Sequence, residues 1–507
     1  MLSALLLLLT NQSNEITIDA TRRTPISPYI YGVNHPDWAK MGAGFTVVRQ
    51  GGNRMTAYNW ETNASNAGSD WNHQNDSHLG ESNEPGWTAR TFMDAGQKNG
   101  AAVILTVPTA GYVSADKNGD GDVNKTPDYL NKRFHKSYAK KSGPLAFPPD
   151  TKDKSVYQDE FVAWIERVKS PSTPVWFSLD NEPDLWGHTH QRIWPKNPTY
   201  AQIIANNIEF ATGIKSVAPK TLVFGPANYG WQGFRRFQDA PDANNRDFLD
   251  VYLAAMKEAG KKAGKRLVDV LDIHWYPEAQ GGGIRICFGD GTNDKPETQT
   301  ARIQAPRSLW DSTYVEDSWI AKSIGGKPIV LLPGVLGQIE KQYPGTKLAI
   351  TEYNYGGPNH ISGAIAQADV LGIFGRFGLF AATNWGLNAN NRAELAGFRA
   401  FIDYDGKGSR FGDLGLSVVG TKAPTNSVYA ALDSKNSSRM TVVLINKTKS
   451  AQEFPLNLKG FAAKSGTGFV VAGTTFEKPA SLNVAIRQGK PLVSLPAESV
   501  ATLELRF

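Results

Sequence analysis

Val175-Trp176-Phe177-Ser178-Leu179 runs straight into the polar stretch Asp180-Asn181-Glu182-Pro183. The chain then takes up a helical period, with Tyr200, Ile203, Ile204, Ile208, Ala211, Ile214 and Val217 on one face. A short apolar run, a polar end and an amphipathic helix make one strand–helix unit of a parallel sheet. Working outward, the same kind of run recurs at Tyr29–Val33, Phe45–Arg49, Ala101–Val107, Leu222–Phe224, Val268–Ile273, Lys347–Thr351 and Phe380–Thr383. With Val175–Leu179 that makes eight, mostly separated by helical patterns, and the fold expected is an α/β protein with a (β/α)8 barrel. A doubly wound sheet usually shows a Gly-rich phosphate turn after its first strand, and none is present.

Beyond about residue 400 the pattern changes. Met440–Ile445, Phe469–Val471, Leu482–Ile486 and Thr502–Phe507 are short and strand-like, with Gly, Asn, Ser and Pro between them. They read as a smaller all-β sandwich of antiparallel strands. Glu15–Ala20 alternates apolar and polar residues and is expected to join it. The domains expected are a catalytic barrel over 25–400 and a sandwich over 401–507 plus 13–24.

Composition narrows the function. The 54 basic and 48 acidic residues leave a net charge of +6 without a dominant block, and no basic run has the aromatic interleaving of a nucleic-acid groove. A nucleic-acid partner is therefore not expected. With Cys287 as the one cysteine, neither an intramolecular disulfide nor a thiolate metal site can form. Met1–Leu9 is apolar but too short to span a bilayer and lacks a basic start. It reads as the remnant of a signal-peptide core or as an artificial scar. A secreted, membrane-free monomer is expected. The 13 Trp and 17 Tyr suit stacking on sugar rings, although many must also serve the core.

A barrel of this kind carries its active face at the C-terminal ends of its strands. The fourth run ends in Asp180-Asn181-Glu182-Pro183 and the seventh in Glu352-Tyr353-Asn354-Tyr355-Gly356-Gly357. The sixth ends in Asp272-Ile273-His274-Trp275-Tyr276-Pro277, the eighth in Asn384-Trp385-Gly386. Two glutamates facing each other across a barrel mouth suit retaining glycoside hydrolysis, Glu182 as acid/base and Glu352 as nucleophile. Asn181 is placed to bond a sugar 2-hydroxyl, and His274 and Tyr276 to orient the nucleophile. Each glutamate alone has a plainer reading. Asn-Glu-Pro is a common helix start, and a lone Glu352 would be an ion-paired carboxylate. The pair together, with an aromatic end on the eighth strand, favours catalysis over a non-catalytic carbohydrate-binding protein.

Trp176–Trp186 and Leu348–Gly357 resemble glycoside hydrolase family 44, as do Asn59–Trp71, Asp272–Pro277 and Trp310–Trp319. These matches run in order across nearly the whole chain. The resemblance implies an endo-acting β-1,4-glucanase or xyloglucanase on plant polysaccharide, with xylanase or mannanase side activity, and a barrel plus a sandwich built from both chain ends. It puts the acid/base on Glu182 and the nucleophile on Glu352. Another retaining barrel glycosidase, a xylanase or mannanase, is the nearest alternative. Trp60, Trp71, Trp186, Trp310, Trp319 and Trp385 lie in or beside loops after strands and are candidate sugar platforms, Trp385 foremost.

No cofactor is expected for catalysis. Asp116-Lys117-Asn118-Gly119-Asp120-Gly121-Asp122 has oxygen donors at alternate positions like the start of a calcium loop, but its twelfth position is Pro127 and not a glutamate. The resemblance implies a structural calcium near the barrel mouth, for which Glu61, Asp150 and Asp153 are the other candidates. The two sets stand as alternatives.

Overall fold

The structure is a computed structural model and describes residues 15–507 apart from Ala43 and Phe288. The expected signal-peptide remnant and the first residues of the 13–24 segment lie outside the described residues. By its contacts the chain forms two compact units. One comprises residues 27–359 and 373–391, the other 360–372 and 392–507 with the described N-terminal residues up to Ile26. The expected boundary at 400 thus falls within Arg392–Ile402, a helix counted with the all-β unit.

The first unit is a closed barrel of eight parallel strands. They are β1 (Gly32–Asn34), β2 (Val47–Gln50), β3 (Ala102–Val107), β4 (Val175–Leu179), β5 (Val223–Asn228), β6 (Val270–Trp275), β7 (Lys347–Tyr353) and β8 (Ala381–Asn384). All eight apolar runs correspond to barrel strands. The helices after β2 to β6 are α1 (Trp87–Lys98), α2 (Gln158–Val168), α3 (Tyr200–Val217), α4 (Phe248–Ala263) and α5 (Leu331–Gln342). Among the described residues between β1 and β2 only the four-residue helix Trp38–Met41 occurs, so strand and helix do not alternate regularly all the way round. The longest described helix, α3, opens with a full capping box between Thr199 and Gln202.

Side chains two apart on a strand share a face, so the lumen can be read in layers. The lowest layer is apolar: Val47, Ile104, Trp176, Phe224, Val270, Ala349 and Ala381 form one cluster with Tyr29, Leu222 and Phe380 against it. Trp176 meets Tyr29 edge-on at 4.8 Å and Phe380 at 5.3 Å. One step up the same strands stand Arg49, Asp272, Thr351 and Thr383, each fully buried. The barrel is thus packed with hydrocarbon below and polar groups above.

The second unit is a ten-stranded sheet whose strands share one core, including Ile16, Ile18, Val442, Leu444, Phe454, Val493 and Leu503. The sheet therefore folds over on itself to enclose apolar side chains, as in a sandwich. Ile16–Pro25 joins it, pairing antiparallel with Leu414–Val419 but parallel with Gln452–Lys459, so the strands are not all antiparallel. The expected strand Leu482–Ile486 is divided: Leu482 ends one strand, and Ala485–Arg487 is another. In the same unit Lys447 and Asp369 form a buried ion pair at 2.7 Å, completed by the Tyr429 hydroxyl donating to Asp369 at 2.6 Å.

Candidate active site

Backbone geometry at the strand ends sets the site. Asp180 and Glu182 both have left-handed φ, 62° and 45°, in a turn that β-region strand geometry would not give. The Asp180 carboxylate holds that turn, accepting from Thr56 Oγ1 at 2.6 Å and from its neighbour Asn181 N at 2.9 Å. Glu182 N donates to Ala227 O at the end of β5 at 2.9 Å. A 3-10 helix does begin at Pro183, as the plainer reading of Asn-Glu-Pro would have it. Yet the Glu182 side chain does not cap it; the carboxylate turns inward to His274 Nδ1 at 2.8 Å.

Opposite stands Glu352. Arg49 Nη1 donates to its Oε1 at 2.7 Å and the Tyr276 hydroxyl to its Oε2 at 2.7 Å. Arg49 is fully buried, so its charge lies against the Glu352 carboxylate in a weakly screened setting. Its Nη2 donates to Asn181 Oδ1 at 2.8 Å, and Gly52 N donates to the same oxygen at 3.1 Å. With Oδ1 taken twice, the Asn181 amide has its Nδ2 donor left for a ligand. An oxygen of Glu182, a ring nitrogen of His274 and an oxygen of Glu352 lie within 4.8 Å of one another.

The two carboxyls differ electrostatically. Burial pushes Glu182 up to about 7, with Arg49 pulling it down and Asp70 pushing it further up. Burial also lowers His274 to about 3, so the imidazole beside Glu182 is neutral at working pH. Asp184, two residues past Glu182 and fully buried, is pushed up to about 8 by burial and then by Glu182.

A cleft of about 690 Å³ lies over the ends of β1, β2 and β8, lined by Gln50, Gly52, Arg54, Asp70, Trp87 and Trp385 among others but not by the two glutamates themselves. Trp385 is half-buried. A Cβ on Gly52 would come within 2.5 Å of its indole, so glycine there makes room for the ring. Gln50 is 3% exposed and its Oε1 has no partner, an acceptor suited to a ligand hydroxyl.

The other tryptophans divide. Trp71 and Trp319 are 60% and 42% exposed, Trp71 in the loop after β2 and Trp319 at the start of the short helix Trp319–Ser323 after β6. Trp60 and Trp186 are corrections: both are buried, Trp60 against Phe161 and Trp164, Trp186 against Trp194, with no ring face left for a sugar. Trp310 is another. It lies 4.0 Å under the Arg376 guanidinium, in the last turn of the helix that feeds β8, at the end of the barrel away from the strand tips.

The Asp116–Asp122 loop is closed by arginine. Arg133 pairs with Asp116 and Asp120 at 2.7 Å each, and Arg192 with Asp122 at 2.6 Å. Asn118 N donates to Asp116 Oδ1 at 3.1 Å. Guanidinium groups hold the carboxylates that an ion would need, which argues against calcium at Asp116, Asn118, Asp120 and Asp122. Glu61 is different. It is buried, its Oε1 has no partner, and it is pushed up to about 8 by burial and then by Asp153, Glu160 and Asp150. Asp150 and Asp153 each spend Oδ1 on their own loop, accepting from Lys152 N at 3.0 Å and Ser155 N at 2.9 Å.

Arg49 and Gln50 belong to the site without standing out in the sequence, although both sit at the end of the second apolar run. The signal that marks Glu182 and Glu352, a polar residue closing an apolar run, is present there too and could have found them. Tyr229 is a third such residue. It comes directly after β5, its N–H reaches Asp184 Oδ2 at 3.3 Å, and its phenol is raised by burial and by neighbours including Asp184, Glu278 and Glu182.

A parallel eight-stranded barrel with facing glutamates at the ends of β4 and β7, one ion-paired and one half-buried beside a neutral histidine, has the make-up of a glycosidase site. Comparison with known proteins agrees. Residues 64–279 match the glycoside hydrolase family 44 model. A solved family 44 endoglucanase from Clostridium thermocellum superposes with a TM-score of 0.90 at 41% identity, over 97% of this chain and 99% of that one. A xyloglucanase from Paenibacillus polymyxa, solved with xyloglucan, gives 0.91 at 37% identity over the same shares. The chain belongs to glycoside hydrolase family 44. It is also 43% identical over 444 residues to endoglucanase A of Paenibacillus lautus and 44% over 462 residues to β-mannanase/endoglucanase A of Caldicellulosiruptor saccharolyticus. It spans 62% and 34% of the length of these two curated relatives, against 84% and 85% of its own.

Proposed function

We propose that the protein is a retaining endo-β-1,4-glucanase acting on cellulose, mixed-linkage β-glucan and xyloglucan, with slower action on xylan. The observation that carries this is the close approach of Glu182 and Glu352, oxygens within 4.8 Å, in opposite electrostatic settings. Retaining enzymes hold their carboxyls ~5–5.5 Å apart, whereas inverting ones need roughly 6.5–9.5 Å to admit a water. The names of the relatives, endoglucanase, xyloglucanase and β-mannanase, support the substrate class.

In this mechanism Glu182 gives its proton to the glycosidic oxygen while the Glu352 carboxylate attacks the anomeric carbon. The bond to the leaving sugar breaks and a glycosyl ester forms on Glu352. Glu182, now a carboxylate, takes a proton from water, whose oxygen displaces Glu352 and restores the β configuration. Arg49 and Tyr276 hold the Glu352 oxygens in line, and Asn181 Nδ2 is placed for the 2-hydroxyl. Proton NMR of the first product should show the β-anomer, and viscosity should fall before reducing sugar accumulates. Initial α-anomer would refute the retaining mechanism, and glucose as the sole early product the endo reading.

A structural calcium at Glu61, Asp150 and Asp153 belongs to the same reading. Hard oxygen donors and an orphaned buried carboxylate suit it, and the ion would neutralise their mutual repulsion. The enzyme is expected to work as a secreted monomer. No described helix is long and apolar enough to cross a membrane.

A further inference from the structure

Strand β7 does not keep its pleat. Against β6, Ile273 pairs with Ile350 but the next residue, His274, pairs with Glu352. Against β8, Ile350 pairs with Ala382 and Tyr353 with Asn384, so two residues of β7 stand opposite one. On both sides the strand holds one residue too many at Thr351–Glu352, a β-bulge. Ala349 lies in the lumen core, and the Tyr353 ring packs outside on Phe374 at 5.3 Å. Between them Thr351 and Glu352 both face the lumen, although consecutive strand residues normally point to opposite sides.

Thr351 is gripped there. Its hydroxyl lies 2.8 Å from both oxygens of Asp272, and its carbonyl accepts from Asn34 Nδ2 at 2.9 Å. Asp272, Thr351 and Asn34 are at most 4% exposed. Asp272 is joined to the site through Thr351, the neighbour of Glu352 in the chain.

We propose that Asp272 and Thr351 form a clasp that keeps the β7 bulge in place, and that this clasp aims Glu352 at the anomeric carbon. Without it Thr351 is free to return to the regular pleat, which would turn Glu352 away from Arg49 and Tyr276. Both are positioning residues. The inference rests on Glu352 being the nucleophile of a retaining enzyme.

The test reads that nucleophile directly. A 2-deoxy-2-fluoro-β-cellobioside of dinitrophenol loses dinitrophenolate, with its electron pair, as the Glu352 carboxylate bonds to the anomeric carbon. The ester is then counted by mass spectrometry. Thr351→Val, nearly the same shape without the hydroxyl, should label at least tenfold more slowly than wild type, mainly through the rate constant and not through Ki. Thr351→Ser should label within threefold of wild type. Asp272→Asn, which keeps an acceptor, should stay near wild type, and Asp272→Leu should behave like Thr351→Val. Thermal melting of each variant separates lost aim from lost fold, and Thr351→Val carries the test if Asp272→Leu does not fold. Wild-type labelling in Thr351→Val, or equal slowing in Thr351→Ser and Thr351→Val, would overturn the clasp. If wild type is not labelled on Glu352, the retaining reading itself falls.

Discussion

Glu182 and Glu352 bear the same functional group, so their division of labour must come from their neighbours. Arg49 and Tyr276 donate to Glu352, whereas the half-buried Glu182 stands beside a neutral imidazole. Glu352→Gly should abolish hydrolysis, and azide should restore turnover with an α-glycosyl azide as product. A β-azide, or no rescue on an activated aryl cellobioside, would contradict the nucleophile's role. The Glu182 proton sets the alkaline limb of kcat/KM, because an acid near 7 loses its proton just above neutrality. Of the charged groups near it, Arg49 lowers its pKa and Asp70 raises it. Asp70→Asn removes a group that favours the protonated acid, so the limb should move to lower pH. A pH–rate profile that stays put or moves upward would show that Asp70 does not act on Glu182. These two glutamates are legible in the sequence because each follows an apolar run. Arg49 carries the same mark at the end of the second run, but nothing in the sequence pairs it with Glu352.

Strands and loops decide which aromatic rings meet substrate. Trp60 and Trp385 look alike in the sequence, both in or beside loops after strands, since sequence carries no sign of which way a loop folds. In the structure the Trp60 ring lies on α2, whose Phe161 is 5.6 Å away, while Trp385 stands over Gly52 at the cleft. Trp60→Ala should therefore cost ~3–5 kcal/mol of stability, with KM for β-glucan little changed in the folded enzyme. Trp385→Ala should cost roughly 1–3 kcal/mol in kcat/KM on β-glucan and xylan alike, the scale of an aromatic platform under a ring. Melting curves and kinetics on both variants separate the two, and a reversed pattern would exchange their roles. Hydropathy also underestimates strand length at the site. The apolar run Val268–Ile273 stops short of His274 and Trp275, yet β6 extends through both, because lumen-facing polar groups belong to the strand in an active barrel. The bulge in β7 does leave a mark, since Ile-Thr-Glu-Tyr sets two polar residues side by side where an ordinary strand would alternate.

Across the whole molecule, eight apolar runs are enough to give the barrel, but the pairings of the all-β unit depend on contacts far apart in sequence and cannot be read from it. The calcium question has the same character. Regular spacing draws attention to Asp116–Asp122, yet Arg133 and Arg192 arrive from elsewhere in the chain and take those carboxylates. Glu61, Asp150 and Asp153 have no spacing to speak for them, and only folding brings the two aspartates near enough to raise Glu61. Their effect on overall stability has a definite sign. Glu61 is raised from its ordinary 4.5 to about 8, so between those values the folded protein without metal holds a proton that the unfolded chain has lost. Stability of the metal-free protein should therefore fall as pH rises through that window. Calcium requires the ionised carboxylate, so its affinity, and the stability it adds by binding only the native state, should rise over the same window. The melting temperature should thus drop on chelation, and the gap between calcium-loaded and chelated protein should widen from about pH 5 to about pH 8. Repeating the titration with Glu61→Gln should remove most of that widening. A gap that is absent, or constant with pH in wild type, would leave Glu61 as a buried protonated acid with no ion beside it.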